Sequence, residues 1–282
     1  MAVCVSMINM KGGVGKTTIA SQIAWYAALR LDKKVLLIDL DPQANASQSV
    51  MSPQTYVDYL DGGGLTVHDI FEQFTPTGTA SGSPKTLDPL KAIYARVEYD
   101  DGSLLHIVPS RLELSWTLRN PHDKETLLPR FVAKVQDRYD LVVIDCSPTD
   151  SMLTDAAYYC SRYILVPIRA EFLASIGFPL LNRSIQAFRM RHEDNSVEVC
   201  GMVFNDFYRG NVKSENRLAR KDVLDKAAKY GWYVFKNDIP HSDSYFKAAR
   251  VGMPIANTKG THGKVKTEFA AFANEFFPRI GL

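Results

Sequence analysis

The chain has 282 residues, 46% of them hydrophobic, and a formal net charge of +2. That length suits one large α/β domain or two small ones, and a charge so close to neutral argues neither for nor against nucleic acid as a partner. No run of 18 apolar residues is present, which argues against a membrane-spanning helix, and no basic stretch leads into an apolar run and cleavage site, so no secretory signal is expected.

In chain order, the apolar runs that read as buried strands are VCVSMI (3–8), VLLID (35–39), LLHIVP (104–109), LVVID (141–145), YILVPI (163–168), VCGMVF (199–204) and a weaker one, YVFKNDI (233–239). Longer segments of helical spacing separate them. In Thr17–Leu31, residues Ala20, Ile23, Ala24, Ala27 and Leu31 form one apolar stripe. Strands alternating with helices predict an α/β fold with a doubly wound, mainly parallel sheet and helices on both faces, whose ligands sit at the C-terminal strand ends. The stretch TPTGTASGSPKTLDP (75–89) predicts a surface-loop insertion within a single domain spanning 1–282. Cys4, Cys146, Cys160 and Cys200 form no CxxC pair and read as free thiols of a reducing cytoplasm.

The chemistry concentrates in NMKGGVGKTT (9–18), a glycine-rich turn between the first strand and a helix. Glycines let backbone N–H groups converge on anionic oxygens, and the helix N-terminus adds favourable partial charge. In such a cradle Lys16 reaches the β- and γ-phosphates of a nucleotide, and Thr17 offers its hydroxyl to Mg²⁺. The strict GxxxxGK[ST] pattern is not met, because Met10 stands where its first glycine would be, and a second lysine, Lys11, opens the loop. Asp39 and Asp41 lie at and just beyond the end of VLLID, and Asp145 ends LVVID. A carboxylate after four apolar residues at a sheet edge is how P-loop proteins hold a metal-supporting group. A single such aspartate serves equally well as a helix cap; two strand ends of this kind beside a phosphate loop favour catalysis.

KGGVGKTT (11–18), LLIDLDPQANAS (36–47) and YDLVVIDCSP (139–148) resemble the ParA/MinD family of deviant Walker A ATPases. VPIRAEFLASIG (166–177) and IPHSDSYFKAARVGMPI (239–255) look like later segments of the same family, so the resemblance runs in order across most of the chain. It implies ATP and Mg²⁺ as cofactors and an ATP-sandwich homodimer. In that dimer Lys16 serves its own nucleotide and Lys11 reaches the phosphates held by the partner. It further implies that Asp41 orients the attacking water with Asp39 in support. Asp145 holds Mg²⁺ through water, with Thr17 as direct ligand. Gly12, Gly13, Val14, Gly15 and Thr18 complete the phosphate loop. Asn205 and Pro240 fall where the family meets adenine, although an asparagine at a strand end is also a common turn residue.

Two departures stand out. Asp145 is followed by Cys146-Ser147-Pro148-Thr149, where the family commonly has two prolines, and His241 and Ser244 replace basic positions common in chromosomal ParA proteins. The phosphate loop begins at residue 11, so a helix-turn-helix domain ahead of it is not expected, and KTEFAAFANEFFPRIGL (266–282) has only Arg279 as a basic residue after Lys266. Its face of Phe269, Phe272, Ala273 and Phe276 is expected to pack on the domain and not on a membrane. The resemblance therefore points to the short ParA (Soj-type) branch. Residues 207–250 hold ten Lys and Arg against five Asp and Glu. Such a surface can grip DNA phosphates without reading sequence; Arg217, Arg220, Lys221, Lys247 and Arg250 are the candidates.

The function expected is a cytoplasmic, nucleoid-associated ATPase that dimerises on ATP, binds DNA non-specifically, and positions a plasmid, chromosome or protein assembly. A ParB-like or adaptor protein would stimulate its hydrolysis. A MinD-like membrane-associated regulator and a metabolic or assembly ATPase on the same scaffold are the alternatives; cluster carriers and reductase iron proteins need bridging cysteines that this chain lacks as a close pair.

Overall fold

The computed structural model describes residues 1–73, 87–121, 123–170, 177–207 and 214–282. The strands are β1 (Val3–Met7), β2 (Lys34–Leu40), β3 (Tyr94–Glu98), β4 (Leu104–Val108), β5 (Leu141–Cys146), β6 (Tyr163–Ile168), β7 (Glu198–Phe207) and β8 (Ile239–Pro240). The helices are α1 (Lys16–Arg30), α2 (Asn45–Met51), α3 (Pro53–Asp61), α4 (Val67–Glu72), α5 (Leu114–Thr117) and α6 (Leu127–Val135), followed by α7 (Met152–Cys160), α8 (Gly177–Arg191), α9 (Ser214–Tyr230), α10 (Ser244–Arg250) and α11 (Gly263–Arg279).

The strands form one sheet in the order β3-β4-β2-β5-β1-β6-β7-β8, parallel throughout except for β3, which runs antiparallel to β4 at the edge. Alternation along each central strand feeds two cores. Leu36, Ile38, Val142 and Ile144 enter one core, and Val35, Leu37, Leu141 and Val143 enter the other with Ile19, Ala20, Ile23 and Ala24 of α1. Strands buried on both faces must be continuously apolar, which is why these runs are so legible. Each fully buried aliphatic side chain contributes about 1.5–3 kcal/mol.

Two expectations change, and a third is untested. β3 lies in a segment not read as a strand, and a register shift between Ala95 and Val97 marks it as an irregular edge. The run at 233–239 pairs only at its end, as β8, with an isolated bridge from Val234 to Met202. Residues 75–86 of the expected loop insertion lie outside the described residues. Cys4, Cys146 and Cys200 are buried free thiols, while Cys160 is half-buried. On α11, Phe269, Phe272, Ala273 and Phe276 are buried, with the Phe272 ring 5.2 Å from that of Phe235. The apolar face is thus spent on the core, and no described helix is long and apolar enough to cross a membrane.

Candidate active site

The phosphate loop joins the C-terminal end of β1, at the centre of the sheet, to the start of α1. Gly13 and Gly15 have φ of +72° and +92°, a region that costs other residues about 1–2 kcal/mol. A Cβ on Gly15 would also collide with the Asn205 amide. α1 opens with no side-chain cap and no acidic residue in its first turn, which leaves its N–H groups available to an anion. The loop is held from both sides. Buried Asn9 donates to the Pro167 carbonyl near the end of β6 (2.7 Å) and accepts from the Lys11 amide (2.9 Å). Asn205, near the end of β7, donates to the Val14 carbonyl (2.9 Å).

The two lysines occupy different places. Lys16 is buried and its ammonium donates to the carbonyls of Asn9 (3.0 Å) and Lys11 (3.1 Å). Burial lowers its pKa, against the opposing pull of Asp145, Cys146 and Asp41. Lys11 sits half-exposed at the outer lip of the loop, beside exposed Gly12 and Gly13.

Three carboxylates gather at the strand ends, and two of them, Asp145 and Asp41, act on Lys16. β2 and β5 pair with Asp39 opposite Asp145, and β1 pairs with β5 with Met7 opposite Asp145. Strand alternation gives both aspartates the α1 side of the sheet. Asp39 is fully buried; it accepts from the Asp41 amide (3.2 Å), the Ser47 amide (2.8 Å) and the Ser47 hydroxyl (2.6 Å). Burial nevertheless raises its pKa to about 7. Asp41 is 8% exposed and accepts from the Gln43 amide (2.9 Å). Asp145 is fully buried, and neither of its carboxylate oxygens completes a hydrogen bond. Burial, then the charges of Asp39 and Asp41, push its pKa well up, while Thr17 and Lys16 work against them. The Thr17 hydroxyl is close enough to favour the ionised carboxylate but falls short of hydrogen-bond geometry. Buried carboxylates without partners are costly unless a cation compensates them. Among the described residues no group of three or more His, Cys, Asp or Glu is arranged to hold a metal alone. A buried carboxylate and a hydroxyl beside a phosphate loop suit Mg²⁺, which keeps its waters and takes one or two protein ligands plus phosphate oxygens.

A cleft of about 760 Å³ opens over the loop, within the range of small-molecule sites. Gly12 to Thr18, Asp41, Asn205 and Pro240 line it, so the residues expected from three distant motifs share one wall. Arg169, Asn45, Ser49, Tyr245 and Phe246 also line it and were not expected. Asn45, Arg169, Tyr245 and Phe246 fall within the segments LLIDLDPQANAS, VPIRAEFLASIG and IPHSDSYFKAARVGMPI, whereas Ser49 lies outside all of them.

Of the basic candidates, Arg217 and Lys221 are exposed on α9, and Lys247 and Arg250 on α10. Arg220 differs. Its guanidinium donates to both carboxylate oxygens of Asp238 (3.0 and 3.1 Å) and lies 3.9 Å above the Phe204 ring. It is paired within the fold, which sets it apart from the other four candidates. Arg209 and Lys213 lie outside the described residues.

A protein-family model described as AAA domain (AAA_31) matches residues 2–199. The chromosome-partitioning ATPase Soj of Treponema pallidum is 29% identical over 254 residues, covering 89% of this chain and 87% of its own. The chain belongs to the ParA/MinD family. Its match to McdA of Cyanothece, solved as an ATP complex, has a TM-score of 0.77 at 16% identity, covers 100% of this chain and 97% of that one, and shows the shared fold. Cobyrinic acid a,c-diamide synthase from Mycobacterium smegmatis, solved with ADP and magnesium, is 26% identical at a TM-score of 0.66, covering 89% of this chain and 92% of that one. This ParA/MinD-family chain is a partition-type ATPase by its relatives, on a mainly parallel P-loop fold.

Proposed function

We propose that the chain, as one ATPase domain over 1–282, binds Mg²⁺–ATP in the cleft and hydrolyses it to ADP and phosphate. One observation carries this reading: the unpartnered, fully buried carboxylate of Asp145 beside Thr17 and Lys16 at the foot of an uncapped helix. Thr17 and, through water, Asp145 would hold Mg²⁺, which when bound neutralises charge on the β- and γ-phosphates. Lys16 exchanges its carbonyl partners on Asn9 and Lys11 for phosphate oxygens. The backbone amides of Gly12, Gly13, Val14 and Gly15, with Thr18, cradle the chain of phosphates, and Asn205 and Pro240 flank the base. Asp41 orients a water in line with the γ-phosphorus; that water forms the new P–O bond as the bond to the β-phosphate oxygen breaks. Asp41 is suited to this because it reaches the cleft while its neighbour Asp39 is wholly enclosed.

Lys11 reaches the partner's phosphates, which makes ATP the glue of a homodimer. The dimer presents paired basic surfaces built from Arg217, Lys221, Lys247 and Arg250 to DNA, without sequence preference. It positions a cargo until a ParB-like or adaptor protein stimulates hydrolysis, and it works in the cytoplasm on the nucleoid. Burial of the α11 phenylalanines disfavours a MinD-like membrane role, because that face is not available to lipid. The test compares binding of the purified protein to random-sequence DNA and to anionic vesicles, with ATP, with ADP and without nucleotide. ATP-dependent binding to DNA alone is expected; binding to vesicles alone would replace DNA with membrane as the matrix.

A further inference from the structure

The loop that carries Asp41 is stitched at both ends to a single buried carboxylate. Asp39 Oδ1 accepts from the Asp41 amide, where the loop begins, and Asp39 Oδ2 accepts from the amide and hydroxyl of Ser47, in the first turn of α2. Between them, Ala44 adopts a left-handed conformation (φ +53°) and its amide closes the turn onto the Asp41 carbonyl (2.9 Å). Ala44 has no side chain able to cap α2, so Asp39 caps it from the neighbouring strand.

The Ser47 hydroxyl has a fixed orientation. It accepts from the Ser110 amide (2.9 Å), and a backbone amide can only donate, so its single proton is directed at Asp39. Ser110 is itself held through its carbonyl by the Tyr56 hydroxyl (3.1 Å). Ser47, Ser110 and Asp39 are all 0% exposed, and in such an enclosure hydrogen bonds are stronger than in water and their loss is expensive.

We infer that Ser47 is a positioning residue for hydrolysis: its hydroxyl, oriented by the Ser110 amide, fixes Asp39, and Asp39 fixes the backbone from which Asp41 reaches the cleft. This inference rests on the ATPase reading above. Ser47 touches no part of the cleft wall formed by the phosphate loop, so its influence should fall on turnover and not on nucleotide affinity. Misplacing a water-orienting group by about 1 Å can cost on the order of 10²-fold in rate.

The experiment measures ATP affinity, kcat and thermal melting for the wild type, Ser47→Ala and Ser47→Thr. Ser47→Ala should melt cooperatively, bind ATP within about 2-fold of wild type, and lose about 10–100-fold in kcat, while Ser47→Thr, which keeps a hydroxyl, recovers most of the rate. Unchanged kcat in Ser47→Ala would overturn the inference. So would loss of ATP binding in parallel with kcat, or a well-folded Ser47→Thr as slow as the alanine variant, since either marks a role in bulk structure. A wild type that binds ATP without hydrolysing it sinks the ATPase reading itself, and that outcome is read from the wild type alone.

Discussion

Asp39 and Asp145 stand side by side on adjacent parallel strands, both fully buried, yet their circumstances are opposite. Asp39 has three hydrogen-bond donors, and Asp145 has none. Asp145→Asn is therefore expected to stabilise the nucleotide-free protein. The raised folded pKa of Asp145 means that the native state binds its proton more tightly than the unfolded chain does, so its contribution to stability falls as pH rises above 3.8. The melting temperature of the variant should exceed that of wild type at pH 8, and the gap should shrink toward pH 5. The same variant should lose Mg²⁺-dependent ATP turnover. Melting curves across pH, without and with Mg²⁺–ATP, check both halves.

The two lysines should separate cleanly. Lys16→Ala removes the ammonium nearest the phosphates and should weaken ATP binding by the monomer about 10–100-fold, the worth of a charge-assisted hydrogen bond of about 1.5–3 kcal/mol. Lys11→Ala should leave that affinity nearly unchanged and abolish ATP-dependent dimerisation. Sizing with ATP on a hydrolysis-blocked background decides it, and a Lys11→Ala protein that still dimerises removes its role in trans.

Gly15→Ala should damage the site more than the addition of one methyl group implies. The left-handed φ costs about 1–2 kcal/mol, and the new Cβ displaces the Asn205 amide from the Val14 carbonyl. ATP binding should fail, whereas Asn205→Ala, which frees the space but loses the bond, should only weaken it. Isothermal titration of the two variants gives the comparison.

On the basic surface, Arg220 and Lys221 are neighbours with different expected consequences. Arg220→Ala leaves Asp238 without its bidentate partner and uncovers Phe204, and should lower stability by about 1–3 kcal/mol. Charge reversal at Arg217, Lys221 and Arg250 should leave the melting temperature and dimerisation intact while weakening DNA binding on every sequence alike. The wild type's binding should fall steeply with salt, because two protomers joined by ATP set two such surfaces on one duplex. Denaturation curves and salt-titrated DNA binding separate the two kinds of arginine.

Much of this arrangement was legible in the sequence because the central strands are buried on both faces. VLLID and LVVID advertise themselves as unbroken apolar runs, and an aspartate ending each one marks the sheet edge. β3 was not legible, since YARVE at a half-exposed edge has neither an apolar run nor clean alternation. The role of Ser47 depends on β2 and β4 lying side by side, which brings residue 110 to residue 47; nothing local to the DPQANAS stretch reveals it. The pairing of Arg220 was hidden for a similar reason. Counting charges along a segment cannot see that Asp238, 18 residues on, folds back to meet one of them.

The central claim is that the cleft is a site of ATP hydrolysis in which Asp41 orients water without holding the nucleotide. The most direct measurement is single-turnover hydrolysis of ATP by wild type and Asp41→Ala, beside equilibrium binding of ATP to each. The account predicts equal affinity within a few-fold, a stable ATP-bound dimer of the variant, and a rate lower by about 10²–10⁴. Near-normal turnover by Asp41→Ala, or loss of ATP binding together with activity, would contradict it.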